Sequence, residues 1–294
     1  MMVDPPLAHA DNDNTKGTPM QILSAEQAAA VVPRPAATTL VLRDGAAGLE
    51  VLMVRRSLQA SFMPGAYVFP GGAVDPADGS DPHRGACDEP IDGLTRRIGD
   101  VTEVGEQALA YAVAALRECF EECGLWLGAP DHHHPAPDGW SPLRALLHSG
   151  QTLADLAPRA GIKLATSALQ PWSHWVTPLG LPKRFDTLFF VTRAPAGQVP
   201  EVDAGETTAL AWVHPPDALA AHGRGDFPME FATIRTVESL QPFATAGVAA
   251  LLAHAASQAS LPPLHPRLKR DTNGRVLGVL LPGQPGYDEA GAER

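Results

Sequence analysis

One amphipathic segment, residues 106–123, constrains the fold of this 294-residue chain more than any other feature. Its apolar residues recur every three or four positions, which is the period of an α-helix that buries one face. Gly124 follows directly and is suited to end the helix, because glycine tolerates the left-handed backbone common at that point. The pattern predicts one long helix with its apolar face in a core. The apolar positions are Leu109, Val113, Leu116 and Phe120.

The other face of this predicted helix carries three carboxylates. Glu118, Glu121 and Glu122 are related by spacings of three and four, so their side chains converge. Like charges repel unless a cation lies among them, and carboxylate oxygens are ligands that Mg²⁺ and Mn²⁺ prefer. The cluster therefore indicates a divalent-metal site that opens onto a cleft. A solvated acidic helix face is the alternative interpretation.

Strand-like and helix-like segments surround this helix. Two β-rich runs at 38–43 and 49–55 predict a hairpin, and a short extended run at 67–69 leads into Pro70-Gly71-Gly72. Residues 73–105 are acidic and rich in Gly, Pro and Asp, which predicts an inserted surface loop. Further strands are predicted at 172–177, 187–192 and 209–213, and helices at 141–149, 152–160, 215–222 and 232–257.

The pattern divides the chain into three regions. Residues 1–33 lack sustained periodicity and predict a disordered tail with one helical turn near residues 25–30. Residues 34–258 carry the strand and helix patterns and predict the main domain. Residues 259–294 are rich in proline with one apolar run at 276–281, which predicts an ordered strap that ends in a loose tail.

The predicted helix and the glycines upstream of it resemble the sequence box of the Nudix hydrolase family, G-x5-E-x7-R-E-U-x-E-E-x-G-U, where U is apolar. Cys119 fills the first apolar position as a small hydrophobic residue. Arg117 lies 45 positions after Gly72 instead of 14, so 31 additional residues lie inside the box. The early glutamate of the pattern is absent at Leu109, with Glu106 or Asp75 as candidates to replace it. The matching residues are Gly72, Arg117, Glu118, Glu121, Glu122, Gly124 and Leu125.

This resemblance implies a Nudix α/β/α sandwich with a mixed β-sheet and a C-terminal helical extension. Residues 34–258 would form the Nudix domain, and 73–105 would be an insertion within its box. The insertion, together with segments 175–178 and 184–190, is similar to the branch of the family that contains a peroxisomal coenzyme A diphosphatase. The chain is therefore expected to be an enzyme, a hydrolase of acid anhydrides in phosphorus-containing compounds.

A second motif bears on the substrate. The coenzyme A pyrophosphatase signature matches at Arg56, Ser57, Gly65 and residues 69–72 but differs at positions 60, 61, 63, 66 and 67. The resemblance implies hydrolysis of coenzyme A or an acyl derivative to 3′,5′-ADP and (acyl)phosphopantetheine. Nucleotide sugars or dinucleotides are the alternative substrates. A nucleotide-sensing regulatory module with little activity is the alternative of another class.

The resemblance also implies roles for individual residues. Glutamates of the box and one glycine carbonyl would bind Mg²⁺ or Mn²⁺, the box arginine would orient the glutamates, and the base is either Glu118 or a residue outside the box such as Glu206. Two arginines outside the box, Arg56 and Arg184, are candidates to bind phosphate, with a surface or structural role as the alternative for each. The candidates are Glu118, Glu121, Glu122 and Gly71 for metal, Glu118, Arg117 and Glu206 for catalysis, and Arg56, Gly65 and Arg184 for substrate.

Composition excludes several other classes. The formal net charge of −11 argues against a basic face for nucleic acid, and no apolar run is long enough to cross a membrane. Three cysteines are too few for a disulfide framework, and the N-terminus lacks an apolar signal segment, so a cytoplasmic location is expected. The expected partner is a small-molecule diphosphate, with neither nucleic acid nor membrane, and a homodimer is left open. Zinc bound by Cys119, Cys123 and His132–His134 is an alternative, although Cys119 occupies an apolar position of the box.

Overall fold

The structure is a computed structural model that describes residues 22–59, 63–127, 140–203 and 207–292. Within these ranges the chain forms nine strands and ten α-helices. The strands are β1 (Arg34–Gly45), β2 (Gly48–Arg56), β3 (Tyr67–Val68), β4 (Gly71–Ala73), β5 (Gln170–Val176), β6 (Phe185–Arg193), β7 (Thr207–Val213), β8 (Arg267–Arg270) and β9 (Val276–Leu280). The helices are α1 (Ala25–Ala30), α2 (Asp81–Ala86), α3 (Ile91–Leu94), α4 (Ala108–Cys123), α5 (Ser141–His148), α6 (Leu153–Ala160), α7 (Pro215–Gly223), α8 (Phe231–Leu240), α9 (Gly247–Ala256) and α10 (Tyr287–Ala292).

A mixed seven-stranded sheet forms the centre of the fold. Its strands run in the order β3-β2-β1-β6-β5, with β4 also paired to β1 and β7 also paired to β2. Strand β1 is antiparallel to β2 and β4 and parallel to β6. The predicted hairpin is confirmed as β1 and β2, with Gly45 opposite Gly48 at its turn.

Two hydrophobic cores lie on opposite faces of this sheet. Successive residues of a strand point to opposite faces, so Val41 enters one core and Leu40 the other. The first core packs the sheet against α4, α5 and α6, and the second packs it against α7, α8 and α9. This arrangement confirms the predicted α/β/α sandwich with a mixed sheet and helices in its C-terminal part.

One predicted helix is divided in the structure. The helical pattern at 232–257 forms two helices, α8 and α9, separated by a short 3₁₀ turn at Gln241–Phe243. Pro242 lies in this turn, and proline has no N–H with which to continue an α-helix. The prediction of one continuous helix was therefore wrong, although both halves are helical.

The insertion at 73–105 differs from the predicted surface loop. It contains a 3₁₀ turn at Pro76–Gly79, helices α2 and α3, and a π-helical stretch at Thr95–Asp100. Leu94 and Ile98 are fully buried in the core that also contains α4. The many Gly, Pro and Asp residues suggested a loop, but here they begin and end short helices around a few buried apolar side chains.

The described parts of both terminal regions are also ordered. Helix α1 has Ser24 as its N-cap, and the Leu23 N–H donates to the Gly180 carbonyl at 2.9 Å. Residues 22–33 therefore differ from the disordered tail expected there, while the helical turn at 25–30 is confirmed. Toward the C-terminus, β8 and β9 form an antiparallel hairpin that is followed by α10, where a loose tail was expected. Among the described residues, no helix has the length and apolar character needed to cross a bilayer.

Candidate active site

Helix α4 brings the box residues to one end of the sheet. Its apolar face is buried, and the Thr39 hydroxyl of β1 donates to the Ala115 carbonyl at 3.1 Å, which fixes the helix against the sheet. Gly124 ends the helix with a φ of 66°, as the sequence predicted. Helix α4 contacts both strand β4 and the Pro76–Gly79 turn of the insertion, so its acidic face lies where the insertion and β4 meet.

Arg117 is the centre of this cluster. Its Nη1 atom donates to the carboxylates of Glu118 at 2.8 Å and Glu121 at 3.0 Å. Its Nη2 atom donates to the Ala73 carbonyl at 2.9 Å, and only 12% of the side chain is exposed. One guanidinium therefore holds two glutamates of the box in a fixed geometry.

Asp78 supplies the carboxylate that the box lacks at Leu109. It accepts two hydrogen bonds from Arg117, at 3.0 Å from Nε and 3.0 Å from Nη2, and its side chain is 1% exposed. Asp75, one of the two predicted substitutes, lies farther away at 3.7 Å, while Glu106 is exposed at the start of a 3₁₀ turn. Sequence spacing gave no signal for Asp78, because the folded insertion sets its position.

The two glycines of the box contact the other glutamates. The Gly71 N–H donates to the Glu122 carboxylate at 3.0 Å, and Glu122 is 8% exposed. A Cβ atom on Gly72 would lie 2.5 Å from the Glu118 carboxylate, so this position has no room for a side chain. The structure therefore brings together the predicted residues Gly71, Glu118, Glu121 and Glu122 around Arg117.

Burial shapes the electrostatics of the cluster. Loss of solvent raises the pKa of Glu118 to about 7, although the nearby Arg117 acts in the opposite direction. Burial likewise raises the pKa of Glu121. Burial would lower the pKa of Arg117, but the carboxylates of Asp78, Glu118 and Glu121 outweigh it and raise that pKa, so the guanidinium stays charged.

The cluster fits a hard divalent cation in its chemistry. All of its side-chain ligands are carboxylate oxygens, which are donors that Mg²⁺ and Mn²⁺ accept. In the part of the chain that the structure describes, however, no three His, Cys, Asp or Glu side chains form a ready-made metal site. In this structure Glu118 and Glu121 are bonded to Arg117, and Glu122 accepts from the Gly71 N–H.

The predicted substrate residues lie in different settings. Arg56 ends β2, where its N–H donates to the Ala66 carbonyl at 3.0 Å. Gly65 has a φ of 75°, and its carbonyl accepts from Nε of Arg55, not of Arg56, at 3.3 Å. Arg184 instead donates to the backbone carbonyls of Thr177 at 3.1 Å and Val31 at 2.9 Å. Those two bonds are what the structural alternative for Arg184 requires. Glu206, the other predicted base, lies outside the described residues.

The cysteines of α4 belong to the core. Cys119 and Cys123 are both fully buried in the hydrophobic core on the α4 side of the sheet. This confirms the interpretation of Cys119 as an apolar residue of the box. His132–His134, which belonged to the alternative zinc interpretation, lie outside the described residues.

Comparisons with known proteins match this fold. A solved structure, a NUDIX hydrolase from Alicyclobacillus acidocaldarius, superimposes with a TM-score of 0.63 at 30% identity and covers 79% of this chain and 99% of its own. The fold and the box together thus define a Nudix domain. The family described as the NUDT19 Nudix domain matches residues 20–230, so this chain belongs to that family.

Curated relatives agree with this assignment. The acyl-coenzyme A diphosphatases NUDT19 of Gallus gallus and Homo sapiens are 30% and 32% identical to the chain over 220 and 214 residues. These matches cover 60% and 59% of this chain and 56% and 55% of the relatives. The chain therefore spans a little over half the length of the curated relatives that it matches. Divalent cations are a general requirement of the Nudix family.

Proposed function

We propose that the chain is a divalent-metal-dependent hydrolase of a diphosphate linkage, with coenzyme A or an acyl-coenzyme A as substrate and 3′,5′-ADP and (acyl)phosphopantetheine as products. Mg²⁺ or Mn²⁺ is the proposed cation. The substrate is the proposed partner, and the proposed location is the cytoplasm.

One observation carries this proposal: the carboxylates of Glu118, Glu121 and Glu122 gather beside Gly71 and Gly72 while a buried Arg117 holds two of them. A solvated acidic face needs no buried arginine and no glycine against its carboxylates. A regulatory module that only senses nucleotides has no need of this cluster either. The arrangement favours a catalytic site over both alternatives.

The proposed chemistry divides among the residues of this cluster. Glu118, Glu121, Glu122 and the Gly71 carbonyl would hold the cation, which when bound offsets diphosphate charge and makes water a stronger nucleophile. Arg117 would release carboxylate oxygens toward the cation while Asp78 keeps the guanidinium in place. Glu118, or Glu206 by its sequence position, would accept the proton of the attacking water. One P–O bond of the diphosphate breaks as the water oxygen joins phosphorus, leaving two phosphomonoesters.

The substrate rests on two independent supports. The coenzyme A signature matches at Arg56 and Gly65, and the backbone N–H of Arg56 donates to the carbonyl of Ala66, the residue that follows Gly65. The two curated relatives are named acyl-coenzyme A diphosphatases. Arg56 is the proposed phosphate contact on the coenzyme, because its matched position borders the turn that leads into the box.

The test is a panel of coenzyme A, acyl-coenzyme A, ADP-ribose, a nucleotide sugar and a dinucleotide, with each reaction run in ¹⁸O-water and analysed by mass spectrometry. We expect ¹⁸O in one phosphate of the products and the largest kcat/KM for a coenzyme A compound. A much larger kcat/KM for another diphosphate would contradict the substrate but leave the hydrolase standing. No metal-dependent hydrolysis of any panel member would contradict the proposed function.

A further inference from the structure

The C-terminal end of α4 is held by chain segments outside the box. The last four carbonyls of an α-helix lack partners within the helix and must find others. In α4 these are the carbonyls of residues 120–123. The Phe120 carbonyl accepts from the Gly124 N–H at 2.9 Å, which is the ordinary cap. The other three accept from elsewhere in the fold.

A segment that precedes β7 supplies two of these donors. The Glu201 N–H donates to the Cys123 carbonyl at 2.8 Å, and the Asp203 N–H donates to the Glu122 carbonyl at 3.2 Å. Residues 201–203 therefore run alongside the last turn of the box helix. Their backbone is bonded to the same turn that presents the Glu122 carboxylate.

Arg144 of α5 supplies the remaining donor. Its Nε atom donates to the Glu121 carbonyl at 2.8 Å, and its Nη2 atom donates to the same oxygen. Its Nη1 atom donates to the carbonyls of Glu201 at 3.1 Å and Val202 at 3.3 Å. One guanidinium thus joins the box helix to the 201–203 segment, and its charge also suits the negative end of the helix dipole.

We propose that Arg144 is a positioning residue of the metal site: it fixes the last turn of α4 to the 201–203 segment and so sets where the carboxylates of Glu121 and Glu122 stand. This inference rests on the proposed function. It assigns to α5, an element outside the Nudix box, a share in the geometry of the site.

The geometry separates this role from ordinary helix capping. A cap needs only one donor on the helix, whereas Arg144 bonds the helix and a second segment at once. Glu121 is held at both ends, by Arg144 at its carbonyl and by Arg117 at its carboxylate. Glu122 is also held at both ends, by Asp203 at its carbonyl and by Gly71 at its carboxylate. Loosening the carbonyl side therefore moves the carboxylates without altering their chemistry.

The experiment compares R144A and R144K with the wild-type full chain. Amide hydrogen exchange measures the opening of the 201–203 segment. Melting temperatures at increasing Mn²⁺ concentration give the half-saturating concentration for the metal site, without requiring turnover. In R144A we expect exchange at Glu201 and Asp203 to accelerate about tenfold or more, and the half-saturating Mn²⁺ concentration to rise about 10–100-fold, as for other residues that orient metal ligands. R144K should fall between, because an ammonium is a single point of donation and cannot bridge the same set of carbonyls.

R267A is the matched control. Arg267 also donates to a backbone carbonyl, that of Tyr287 at 2.8 Å, but it lies in the C-terminal hairpin. R267A should leave the Mn²⁺ midpoint and both amides unchanged. The inference is overturned if R144A lowers the melting temperature yet keeps the wild-type Mn²⁺ midpoint and exchange rates. If R144A does not fold, the inference is tested with R144K by the same two measurements, the Mn²⁺ midpoint and the amide exchange rates.

The two proposals fail separately. A wild-type chain that responds to Mn²⁺ in melting but cleaves no diphosphate contradicts the proposed function, while the Arg144 measurements still apply. A wild-type chain with no Mn²⁺ response contradicts the Arg144 inference together with metal dependence.

Discussion

Two regions of this chain do not belong to the Nudix box pattern, and they relate to the site in opposite ways. The insertion at 73–105 places Asp78, which is 1% exposed, against the box arginine and buries Leu94 and Ile98 in the core beside α4. The C-terminal hairpin of β8 and β9 packs largely on its own helix, through Arg267 and Tyr287, and leaves Leu277 57% exposed. The inserted segment therefore makes contacts that support the site, whereas the C-terminal hairpin makes its contacts mainly with the helix that follows it.

Chain connectivity explains this contrast. Both ends of the insertion are fixed, one at β4 and the other at α4, and these two elements carry the glycines and glutamates of the box. Any compact fold of the insertion must therefore rest near the site. The C-terminal segment enters beside β5, where the Val176 N–H donates to the Leu264 carbonyl at 2.9 Å, and it continues away from there. Proximity to the box is thus imposed on one region and not on the other.

The largest expected loss of activity comes from substitutions in the box. Losses caused by substitutions in the two regions are compared with it. In E122Q the side chain keeps its size but loses the charge proposed to bind metal, so kcat should fall by about 10²–10⁴-fold. Steady-state hydrolysis of coenzyme A measures this, and circular dichroism should stay unchanged. E201Q is the control, because the bonds of Glu201 to the box helix use only its backbone. Turnover near wild type in both E121Q and E122Q would exclude the assignment of the box.

The next effect tests the insertion. In D78N the buried Arg117 loses its bidentate carboxylate partner, so kcat/KM should fall about 10–100-fold and the free energy of unfolding by about 1–3 kcal/mol. Kinetics and urea unfolding measure the two quantities. D81N is the matched control in the same insertion, because the Asp81 side chain is 94% exposed and its ion pair with Arg84 lies in solvent. Equal kinetics in D78N and D81N would mean that the insertion does not support the site.

The contrast between the two regions also shows which features of the structure could be predicted from the sequence. The hairpin, the box helix and its glycine stop follow from local periodicity and backbone preference, so they were predictable, as was the gathering of the box glutamates at spacings of three and four. Asp78 was not predictable, because its contact with Arg117 spans 39 positions and depends on how the insertion folds. Arg144 was missed for the same reason, since it reaches the Glu121 carbonyl from 23 positions away. Pattern reasoning finds contacts within one element and misses those made by tertiary packing.

A smaller effect concerns metal and stability. A cation that binds only the folded chain should stabilise it by about 2.7 kcal/mol at 100 times its dissociation constant. That corresponds to a rise in melting temperature of roughly 5–10 °C for a domain of this size. Paired thermal melts in EDTA and in millimolar Mg²⁺ or Mn²⁺ measure it. The melting temperature of the double variant E121Q/E122Q should change little when metal is added, because the variant lacks two of the proposed ligands. It also lacks the repulsion between their charges that a cation would relieve.

An equal shift in the double variant would place the cation elsewhere. D78N provides a second comparison, because an Arg117 side chain that has lost Asp78 would compete with the cation for Glu118 and Glu121 in a different way from wild type. We expect D78N to keep a metal-induced shift, but with a higher midpoint concentration than wild type.

The smallest effect is expected from the C-terminal hairpin. Arg267 donates to the carbonyls of Tyr287 and Asp288, pairs with the Asp288 carboxylate at 3.7 Å and lies 4.1 Å over the Tyr287 ring, and R267A removes all of these contacts. These contacts are partly exposed, and together they should contribute about 1 kcal/mol to the free energy of unfolding. Because neither partner touches the box, kcat and KM should stay within about twofold of wild type. R224A, which loses only the exposed pair with Asp226, should be neutral in both unfolding and kinetics. A loss of activity in R267A comparable to that of D78N would show that the C-terminal segment also supports the site, and the contrast between the two regions would fail.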